Sequence, residues 1–450
     1  MKTKVLALLM SISLLGGSVP FPVHADEMIH DTYGNGIDWT LSDHVLTISG
    51  EGVIFSEKGS LPNWMTYANE IHEIIIEEGI TSSQYRAFAE LPHLESITFP
   101  STFEQLGTES LFNDRQLVEI NGLENIQYFD FRCLSNTEYI SEHPFVIHDD
   151  TLYYAEGTEL TVPDGVKVIA PFAFGNLTAY ESTSQLTFTD VPHYDIVLPD
   201  GLETIEKYAF AFSSRLCHIN IPESVQSIGD YAFFSCPNLE EISLSETCTE
   251  IGDFSFFNCR LLTDITMKNA FMDMGWRSCG YNADWNTILK DRAEKKGIDL
   301  TSPKYANLLN QIENADMETL IYYDELANWT QLHYKATRSF REIADGQYTD
   351  ELSNSVIVND ALTVHGNADS LVEEYCQEND LHFSPFISFL VGDVSEDGVV
   401  DIVDVLTLNQ WYLGLLDFSP AQKLAADFDQ NGKCEMIDMI RLLRHLVGIN

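Results

Sequence analysis

The sequence predicts an α/β solenoid that is interrupted by a helical insertion and followed by a small all-α domain. Three features of the 450 residues indicate this architecture: a 23-residue repeat in the middle of the chain, a change to helical periodicity after residue 267, and two matching acidic loops near the C-terminus. A fixed period with apolar residues at constant phases is typical of a solenoid, because each unit buries its apolar face only against its neighbours.

Charge excludes two broad classes of function. The chain has 70 acidic and 24 basic residues and a formal net charge of −46. Phosphate backbones and anionic bilayers would repel such a chain, which argues against nucleic-acid binding and against a role on a membrane surface. Its apolar residues, 44% of the total, are too many for an acidic disordered protein. Residues 268–350 carry 13 acidic and 10 basic residues, whereas residues 26–267 carry 40 and 8. The segment 268–350 is therefore chemically distinct from the residues before it.

Residues 1–25 have the organisation of a signal peptide. A basic start at Lys2 and Lys4 precedes an apolar run over residues 5–15, and residues 23–25 supply the small side chains that signal peptidase requires. The apolar run is too short for a membrane anchor, which needs about 18 residues or more. We therefore expect a secreted, extracellular protein.

The repeat is most regular between residues 198 and 266. Three copies align without a gap as LPDGLETIEKYAFAFSSRLCHIN, IPESVQSIGDYAFFSCPNLEEIS and LSETCTEIGDFSFFNCRLLTDIT, and looser copies lie upstream. Each copy predicts a short strand that ends before a turn, as at Pro222, because proline has no N–H to donate to a central ladder. The Tyr-Ala-Phe segment of the repeat would supply the opposite wall of the core.

The eight cysteines do not predict a disulfide scaffold in a chain of this length. Cys236 and Cys259 lie one repeat apart at the same phase, so they should stack in adjacent coils. They could form a disulfide, or each could be a small buried residue of the core. The second interpretation is favoured, because free cysteine behaves as a small apolar side chain.

These copies resemble the leucine-rich repeats of bacterial surface antigens, the BspA-like or treponemal-antigen type. The segment Ile219–Leu239 matches the pattern I-x-I-P-x-x-V-x-x-I-G-x-x-A-F-x-x-C-x-x-L at nearly every position. Residues 36–54 resemble the strand pair that precedes such arrays, and residues 362–383 resemble the strand and helix that close them. The resemblance implies a binding surface without a particular ligand. The implied boundaries are a strand cap at 26–60, repeats at 61–267 and a closing repeat at 356–390.

Residues 268–355 interrupt the repeat with helical periodicity. Apolar residues recur at i, i+3, i+4 and i+7 from Tyr305 to Ile312, with Ser302 and Pro303 placed as N-cap and first helical residue. The segment is either a module with its own ligand or activity, or a helical elaboration that packs against the solenoid, which is favoured. A second apolar stripe runs through Trp329, Leu332, Ala336, Phe340 and Ile343.

Cys279 and His333 do not make a convincing nucleophile and base. The flanks of Cys279, in the sequence WRSCG, differ from those of cysteine-protease families. A single cysteine and a single histidine are also a common coincidence in a long chain. We therefore assign no catalytic residue.

Two twelve-residue loops, DVSEDGVVDIVD at 393–404 and DFDQNGKCEMID at 427–438, begin 34 residues apart. Both place oxygen side chains at loop positions 1, 3, 5, 9 and 12 and glycine at position 6, and position 7 would contribute its backbone carbonyl. Calcium binds about six to eight oxygens, and the glycine permits the sharp turn between ligands, so the loops predict two Ca²⁺ ions. The predicted ligands are Asp393, Ser395, Asp397, Val399, Asp401 and Asp404 in the first loop, and Asp427, Asp429, Asn431, Lys433, Glu435 and Asp438 in the second, with Asp401 and Glu435 acting through water.

The duplicated loops are each followed by an apolar helical run that ends in glycine, at Gly414 and Gly448. This pattern resembles a type I dockerin, the EF-hand-like module by which secreted proteins dock onto the cohesins of a cellulosome scaffoldin. Residues 391–450 would be the dockerin, and Pro385 with the apolar residues after it replaces the helix that precedes an ordinary EF-hand loop. The resemblance implies a scaffoldin cohesin as partner. The implied cohesin-contacting residues are Ile402, Val403, Met436 and Ile437, with Gln410 and Arg444 at equivalent points of the two halves.

Three details of this resemblance stay open. Val403 and Ile437 could instead belong to the core, since a domain of about 60 residues needs its apolar side chains for folding. The similar halves allow a second docking pose related by a two-fold rotation, whose symmetry Gln410 and Arg444 would break. Ser395 is a shorter and weaker ligand than the usual Asn or Asp, which lowers the expected affinity of the first loop.

The role of the repeats is open between two hypotheses. The favoured one is a non-catalytic surface that binds a protein, a cell surface or a polysaccharide within a complex that degrades plant polysaccharide. The alternative is a hydrolase of plant cell-wall polysaccharide with its site in or beside residues 268–350. Such an enzyme needs two facing carboxylates and a sugar-stacking aromatic, for which Trp276, Trp285 and Trp329 are candidates.

Overall fold

A computed structural model describes residues 28–34, 36–55, 61–157, 159–175, 194–334, 351–386 and 390–448. Two compact units are found, one within residues 1–127 and 132–142 and the other within 128–131 and 143–450. The expected signal peptide and the end of the second helical stripe, at Ala336, Phe340 and Ile343, lie outside the described residues. None of the helices in the described ranges is long and apolar enough to cross a bilayer.

The first unit is mainly β-sheet. Its described elements are β1 (Ile29–Tyr33), β2 (Ile37–Ser42), β3 (Val45–Gly50), β4 (Gly52–Ile54), β5 (Glu73–Ile76), β6 (Ile80–Ser83), β7 (Ser96–Thr98), β8 (Gln105–Leu106), β9 (Glu119–Asn121), α1 (Glu138–Glu142) and the 3₁₀ helices Asn63–Glu70 and Leu123–Asn125. One sheet has the order β1-β2-β3-β5-β7-β9, antiparallel as far as β3 and parallel from there onward. Strands β4, β6 and β8 are neighbours in another sheet. The strand pair expected at 36–54 is present as β2 and β3.

Alternation along each strand decides which side chains enter the core of this unit. In β5, Ile74 and Ile76 are buried, whereas Glu73 is partly exposed, because successive side chains of a strand point to opposite sides of the sheet. Trp64 in the first 3₁₀ helix is fully buried, and its Nε1 donates to the carbonyl of Ala87 at 3.1 Å. Polar residues of these strands are therefore presented at the surface at regular intervals.

The second unit contains the regular repeats, the helical insertion and the C-terminal helices. Its described strands are β10 (Tyr128–Phe129), β11 (Phe145–His148), β12 (Thr151–Ala155), β13 (Glu159–Thr161), β14 (Val168–Ile169), β15 (Tyr194–Val197), β16 (Thr204–Ile205), β17 (Leu216–Ile219), β18 (Ser227–Ile228), β19 (Glu241–Leu244), β20 (Glu250–Ile251), β21 (Asp264–Met267), β22 (Asp273–Met274), β23 (Tyr281–Ala283), β24 (Val356–Val358), β25 (Thr363–Gly366) and β26 (His382–Pro385). Its described helices are α2 (Trp285–Lys295), α3 (Ala306–Glu313), α4 (Met317–Tyr334), α5 (Glu351–Asn354), α6 (Leu371–Glu378), α7 (Ile402–Tyr412), α8 (Pro420–Ala426), α9 (Met436–Leu446) and the 3₁₀ helix Pro303–Tyr305.

The 23-residue period is visible as stacked coils. One sheet has the order β11-β12-β14-β16-β18-β20-β22, and two shorter sheets have the orders β13-β15-β17 and β19-β21-β25-β26. Ser227 pairs with Glu250 in parallel, one repeat further along the chain. The rings of Phe210, Phe233 and Phe256 stack with centroids 4.8 and 5.1 Å apart. Each coil thus buries its apolar residues against the next, as the repeat predicts.

Small residues let the coils approach one another. A Cβ on Gly252 would lie 2.4 Å from the backbone nitrogen of Asp230, so a larger residue does not fit there. Cys236 and Cys259 are buried, and each thiol donates to a backbone carbonyl at 3.2 Å. Burial raises the pKa of both thiols, that of Cys259 to about 12. All eight cysteines are free, so the interpretation of these two as core residues is confirmed.

The coils continue past residue 267, where the sequence placed the start of the insertion. Strand β22 pairs with β20 in parallel, and the next helix begins only at Trp285. Met267 is fully buried and Met274 packs against the same core. The boundary at residue 268 is therefore too early. The repeat is hard to recognise here because methionine, whose flexible side chain can fill the same space, replaces leucine and isoleucine at these two positions.

The chain returns to the solenoid after the insertion. Strand β24 pairs antiparallel with β23, and β25 then pairs with β21 in the register of the earlier coils. Helix α6 and strand β26 follow, and β26 lies parallel to β25. The segment 356–390 thus contains the strand and helix expected of a closing repeat.

The insertion packs against the repeats. Ser302 is the N-cap and Pro303 the first residue of a 3₁₀ helix that leads into α3, so the helix start expected there is confirmed. On α4, Asp324 accepts from Nε of Arg260 in the repeats at 2.6 Å, and both side chains are buried. Nε1 of Trp285 also donates to Asp324. The described part of the insertion is therefore held on the solenoid by a buried ion pair.

Candidate metal centre and docking face

The first residue of each C-terminal loop is a buried carboxylate that holds the loop together. Asp393 accepts from the N–H groups at loop positions 5 and 6 at 3.2 and 2.9 Å. Asp427 accepts from the equivalent groups of the second loop at 3.0 and 2.7 Å. Gly398 and Gly432 at position 6 have φ of 83° and 82°, which a residue with a Cβ rarely adopts. Two segments of different sequence thus adopt one loop geometry.

The last residue of each loop closes it from the other end. Asp404 accepts from the N–H groups at positions 3 and 9 at 2.8 and 2.7 Å. Asp438 accepts from the same positions of its loop at 3.3 and 2.8 Å. Both carboxylates are completely buried, and each is also the third residue of the helix that follows its loop, α7 or α9. Loop and helix are therefore joined through a single side chain.

The carboxylates of the second loop lie close together. In the second loop Asp427, Asp429 and Asp438 bring oxygen atoms within 4.8 Å of one another. Three negative charges at this separation repel one another, and the nearby cation is Arg441, whose Nη1 lies 2.5 Å from Asp429. In the first loop Ser395 stands where Asp429 stands in the second.

The donor set fits calcium. At positions 1, 3, 5, 9 and 12 of the two loops the side chains are carboxylates, an amide or a hydroxyl, and a hard divalent cation prefers such oxygens. The side chains of Val399 and Lys433 at position 7 are exposed, which leaves only their backbone carbonyls to act as ligands. Asp401 caps α7 by accepting from the N–H of Val403 at 2.6 Å. The twelve residues named from the sequence remain predicted ligands.

The apolar residues at positions 10 and 11 point into solvent. Ile402 and Met436 are 54% and 61% exposed, and Val403 and Ile437 are 44% and 42% exposed. They lie on the first turns of α7 and α9, directly before the buried carboxylates Asp404 and Asp438. The open alternative that Val403 and Ile437 belong to the core is therefore wrong. That core is formed by other residues of the module, among them Val394, Val405, Leu408, Phe418, Ala426 and Leu442.

Sequence reasoning missed a further apolar pair. Leu406 and Ile440 lie one helical turn after positions 10 and 11 and are 55% and 45% exposed. Gln410 and Arg444 follow on the same two helices and are also exposed. The signal for the missed pair was their spacing of four residues from Ile402 and Met436. We call the six apolar residues the apolar strip: Ile402, Val403, Leu406, Met436, Ile437 and Ile440.

Residues 391–447 match the family model described as Dockerin type I domain, and residues 64–148 and 181–289 match six copies of the BspA type Leucine rich repeat region. The chain carries BspA-type leucine-rich repeats and a C-terminal type I dockerin domain. Type I dockerins bind calcium, and a dockerin domain implies a cohesin partner. The dockerin differs from a pair of EF-hands at its start, because strand β26 comes before the first loop whereas helix α8 ends directly at the second.

Solved structures of bacterial leucine-rich-repeat proteins are similar to this chain. A leucine-rich repeat protein from Eubacterium ventriosum is 20% identical over 55% of this chain and 84% of its own, with a TM-score of 0.28. The pneumococcal vaccine antigen PcpA is 11% identical over 80% and 99%, with a TM-score of 0.30. A leucine-rich repeat protein from Bacteroides ovatus is 18% identical over 57% and 67%, with a TM-score of 0.26. No curated protein matches the chain.

The repeats have a groove on the exposed side of β15, β17, β19 and β21. Its volume is about 530 Å³, and its rim carries His218, Asn220, Glu241 and Asp264. Glu241 and Asp264 are register partners on neighbouring strands. Hydrogen bonds from Thr263 and then His365 lower the pKa of Asp264. The groove therefore presents charged and hydrogen-bonding groups above the apolar core.

The candidate sugar-stacking residues Trp276 and Trp285 do not line this groove. Trp276 is 61% exposed, but it is not among the residues that line the groove, and the guanidinium of Arg277 lies 4.6 Å from its ring centre. Trp285 is buried against Asp324, and the side chain of Trp329 lies outside the described atoms. Cys279 is fully buried and its pKa is raised by burial, so it is a core residue. Neither Trp276 nor Trp285 therefore provides a stacking ring beside the carboxylates of the groove.

Proposed function

We propose that this chain is a secreted component of a cellulosome. Its dockerin docks onto a scaffoldin cohesin, and its leucine-rich repeats present a non-catalytic binding surface in the degradation of plant polysaccharide. The proposal is supported above all by two loops whose first and last carboxylates accept from the same backbone positions. Each loop is followed by a helix with exposed apolar residues on its first turn. An apolar face held on a small domain is typical of a surface that a partner covers.

Calcium supplies the positive charge that lets the loop carboxylates stay close together. The loop carboxylates of the chain determine the geometry. Asp393 and Asp427 shape the loops through backbone N–H groups, and Asp404 and Asp438 fix the start of α7 and α9. Those helix starts carry the apolar strip, so the loops determine where the docking face lies. Loss of the ion should therefore disorder the face without any change in its residues.

The docking proposal is tested by measuring the binding of the whole chain to a panel of type I cohesins. Calorimetry in millimolar calcium should detect binding to at least one cohesin, with a stoichiometry of one. The same titration after chelation of calcium should show no binding, and re-addition of calcium should restore it. Docking that survives chelation would refute the calcium-dependent mechanism.

The role of the repeats needs a separate experiment. The whole chain is mixed with insoluble plant cell wall, and both its depletion from solution and the release of soluble sugar are followed. We expect depletion without sugar release, because the groove offers hydrogen-bonding groups and neither Trp276 nor Trp285 lines it. Release of sugar would instead favour the hydrolase near residues 268–350, and absence of both would point to a protein ligand.

A further inference from the structure

Three histidines of the first unit are in contact through their rings. The ring centroids of His44 and His72 lie 4.5 Å apart with planes at 28°, and those of His72 and His93 lie 5.5 Å apart with planes at 42°. His44 and His93 are exposed and His72 is half-buried. Imidazole is the commonest protein ligand for transition metals, so a surface group of three is a candidate metal site.

Parallel strands hold these residues at neighbouring positions. His44 and His72 directly precede β3 and β5, which pair with each other. The N–H of His72 donates to the carbonyl of His44 at 2.9 Å, which fixes the two backbones at strand spacing. The N–H of Glu95 donates to the carbonyl of His72 at 2.8 Å and brings the segment with His93 to the other side. Backbone hydrogen bonds between neighbouring coils therefore keep the three histidines close together.

The backbone also sets which nitrogen of His44 is available. Its Nδ1 lies 2.9 Å from the carbonyl oxygen of Glu70. A carbonyl oxygen only accepts hydrogen bonds, so Nδ1 carries the hydrogen and Nε2 of the neutral ring keeps its lone pair. Metal-ligating histidines are oriented by this kind of hydrogen bond from the other ring nitrogen. Nε2 of His44 therefore has a free lone pair on a ring that the hydrogen bond to Glu70 already orients.

The spacing within each neighbouring pair of rings is close to the spacing that one ion requires. A Zn–N bond of about 2.0–2.1 Å puts each ring centre about 3.2 Å from the ion, so two imidazoles at a tetrahedral angle have centres about 5 Å apart. The observed distances of 4.5 and 5.5 Å lie on either side of this value. The rings are stacked rather than convergent, so binding requires that His72 and His93 turn about their side-chain bonds. Their partial exposure leaves room for this rotation.

We propose that His44, His72 and His93 bind one transition-metal cation of the Zn²⁺, Ni²⁺ or Cu²⁺ class. The backbone of Glu95 lies beside that of His72 on the next coil, which makes its carboxylate a candidate fourth ligand. Imidazole nitrogens favour these ions over calcium, which takes oxygen ligands. The site is therefore separate in chemistry from the loops of the dockerin.

The test uses the whole chain without an affinity tag, in excess calcium so that the dockerin loops are occupied. Zn²⁺ is titrated by calorimetry, and Co²⁺ is titrated with visible absorption as the readout of coordination. We expect one strongly bound Zn²⁺ per chain and a cobalt spectrum typical of a tetrahedral site with nitrogen ligands. His72→Gln should weaken Zn²⁺ binding about tenfold or more.

Two further variants keep the result interpretable. His218→Gln changes an exposed histidine on the repeats and should bind Zn²⁺ as the unaltered chain does. His93→Gln changes a residue that lies outside the strands, so its effect reports binding even if His72→Gln folds less well. Unchanged Zn²⁺ binding in both His72→Gln and His93→Gln, or an equal loss in His218→Gln, would overturn the proposal.

Discussion

Asp404 and Asp438 make the same two hydrogen bonds in loops that begin 34 residues apart. Each carboxylate is completely buried and is at once the last residue of a loop and the third residue of a helix. A change at either position should therefore affect the cation site and the helix together.

Asp404→Asn and Asp438→Asn should each remove one calcium ion from the dockerin. An amide lacks the negative charge and accepts through only one oxygen, so one of the two loop contacts is lost as well. We expect each variant to lower the free energy of unfolding of the dockerin by about 1–3 kcal/mol in calcium. Calorimetric calcium titration and far-ultraviolet circular dichroism provide the measurement. Asp417→Asn, at an exposed position between α7 and α8, is the control and should bind two ions.

Leu406→Asp combined with Ile440→Asp should weaken cohesin binding about a hundredfold. A carboxylate at each position would be desolvated against an apolar partner surface, which costs several kcal/mol unless it is paired. Either substitution alone should have a much smaller effect if the two halves can dock in related poses. Surface plasmon resonance with an immobilised cohesin measures the affinity. Leu424→Asp, at an exposed position of α8, is the matched control, and equal loss there would place the contact on another face.

The repeat and the loops could be read from the sequence because their signals are local. A fixed spacing of phenylalanine, as at Phe210, Phe233 and Phe256, directly gives the stacking that the structure shows. Glycine at position 6 with carboxylates at positions 1 and 12 gives the loop geometry in the same way.

Other features depend on tertiary packing and were not accessible. The apolar helical runs predict the helices α7 and α9, but they do not show how wide the exposed apolar face is, so Leu406 and Ile440 were missed. The start of the insertion was placed too early because Met267 and Met274 carry weaker repeat signals than isoleucine and leucine. The contact of His44 with His72 depends on strand register across 28 residues, which no local pattern contains.

Asp324→Ala should destabilise the second unit strongly. Its carboxylate accepts from Arg260 at 2.6 Å, and the substitution leaves the buried guanidinium without its counter-charge. Breaking a buried pair in this way typically costs about 3–5 kcal/mol. Urea unfolding followed by tryptophan fluorescence measures the change. Glu318→Ala, at an exposed position of the same helix, should differ from the unaltered chain by less than about 0.5 kcal/mol.

Glu325 should make the packing of the insertion sensitive to pH. Burial raises its pKa from about 4.5 to about 7, although Arg215 nearby acts in the opposite direction. The folded chain therefore binds this proton more tightly than the unfolded chain does. The contribution of Glu325 to stability is fully present below about pH 4.5 and is lost as the pH rises through about 7.

The difference between the unaltered chain and Glu325→Gln isolates this group. Glutamine stays neutral at every pH, so the unaltered chain should lose up to roughly 3 kcal/mol relative to the variant between pH 4.5 and 8. Urea unfolding at steps of half a pH unit, in constant calcium, gives both curves. Glu318→Gln on the exposed side of α4 should run parallel to the unaltered chain. A constant difference between the unaltered chain and Glu325→Gln across this range would show that the buried carboxyl does not titrate there.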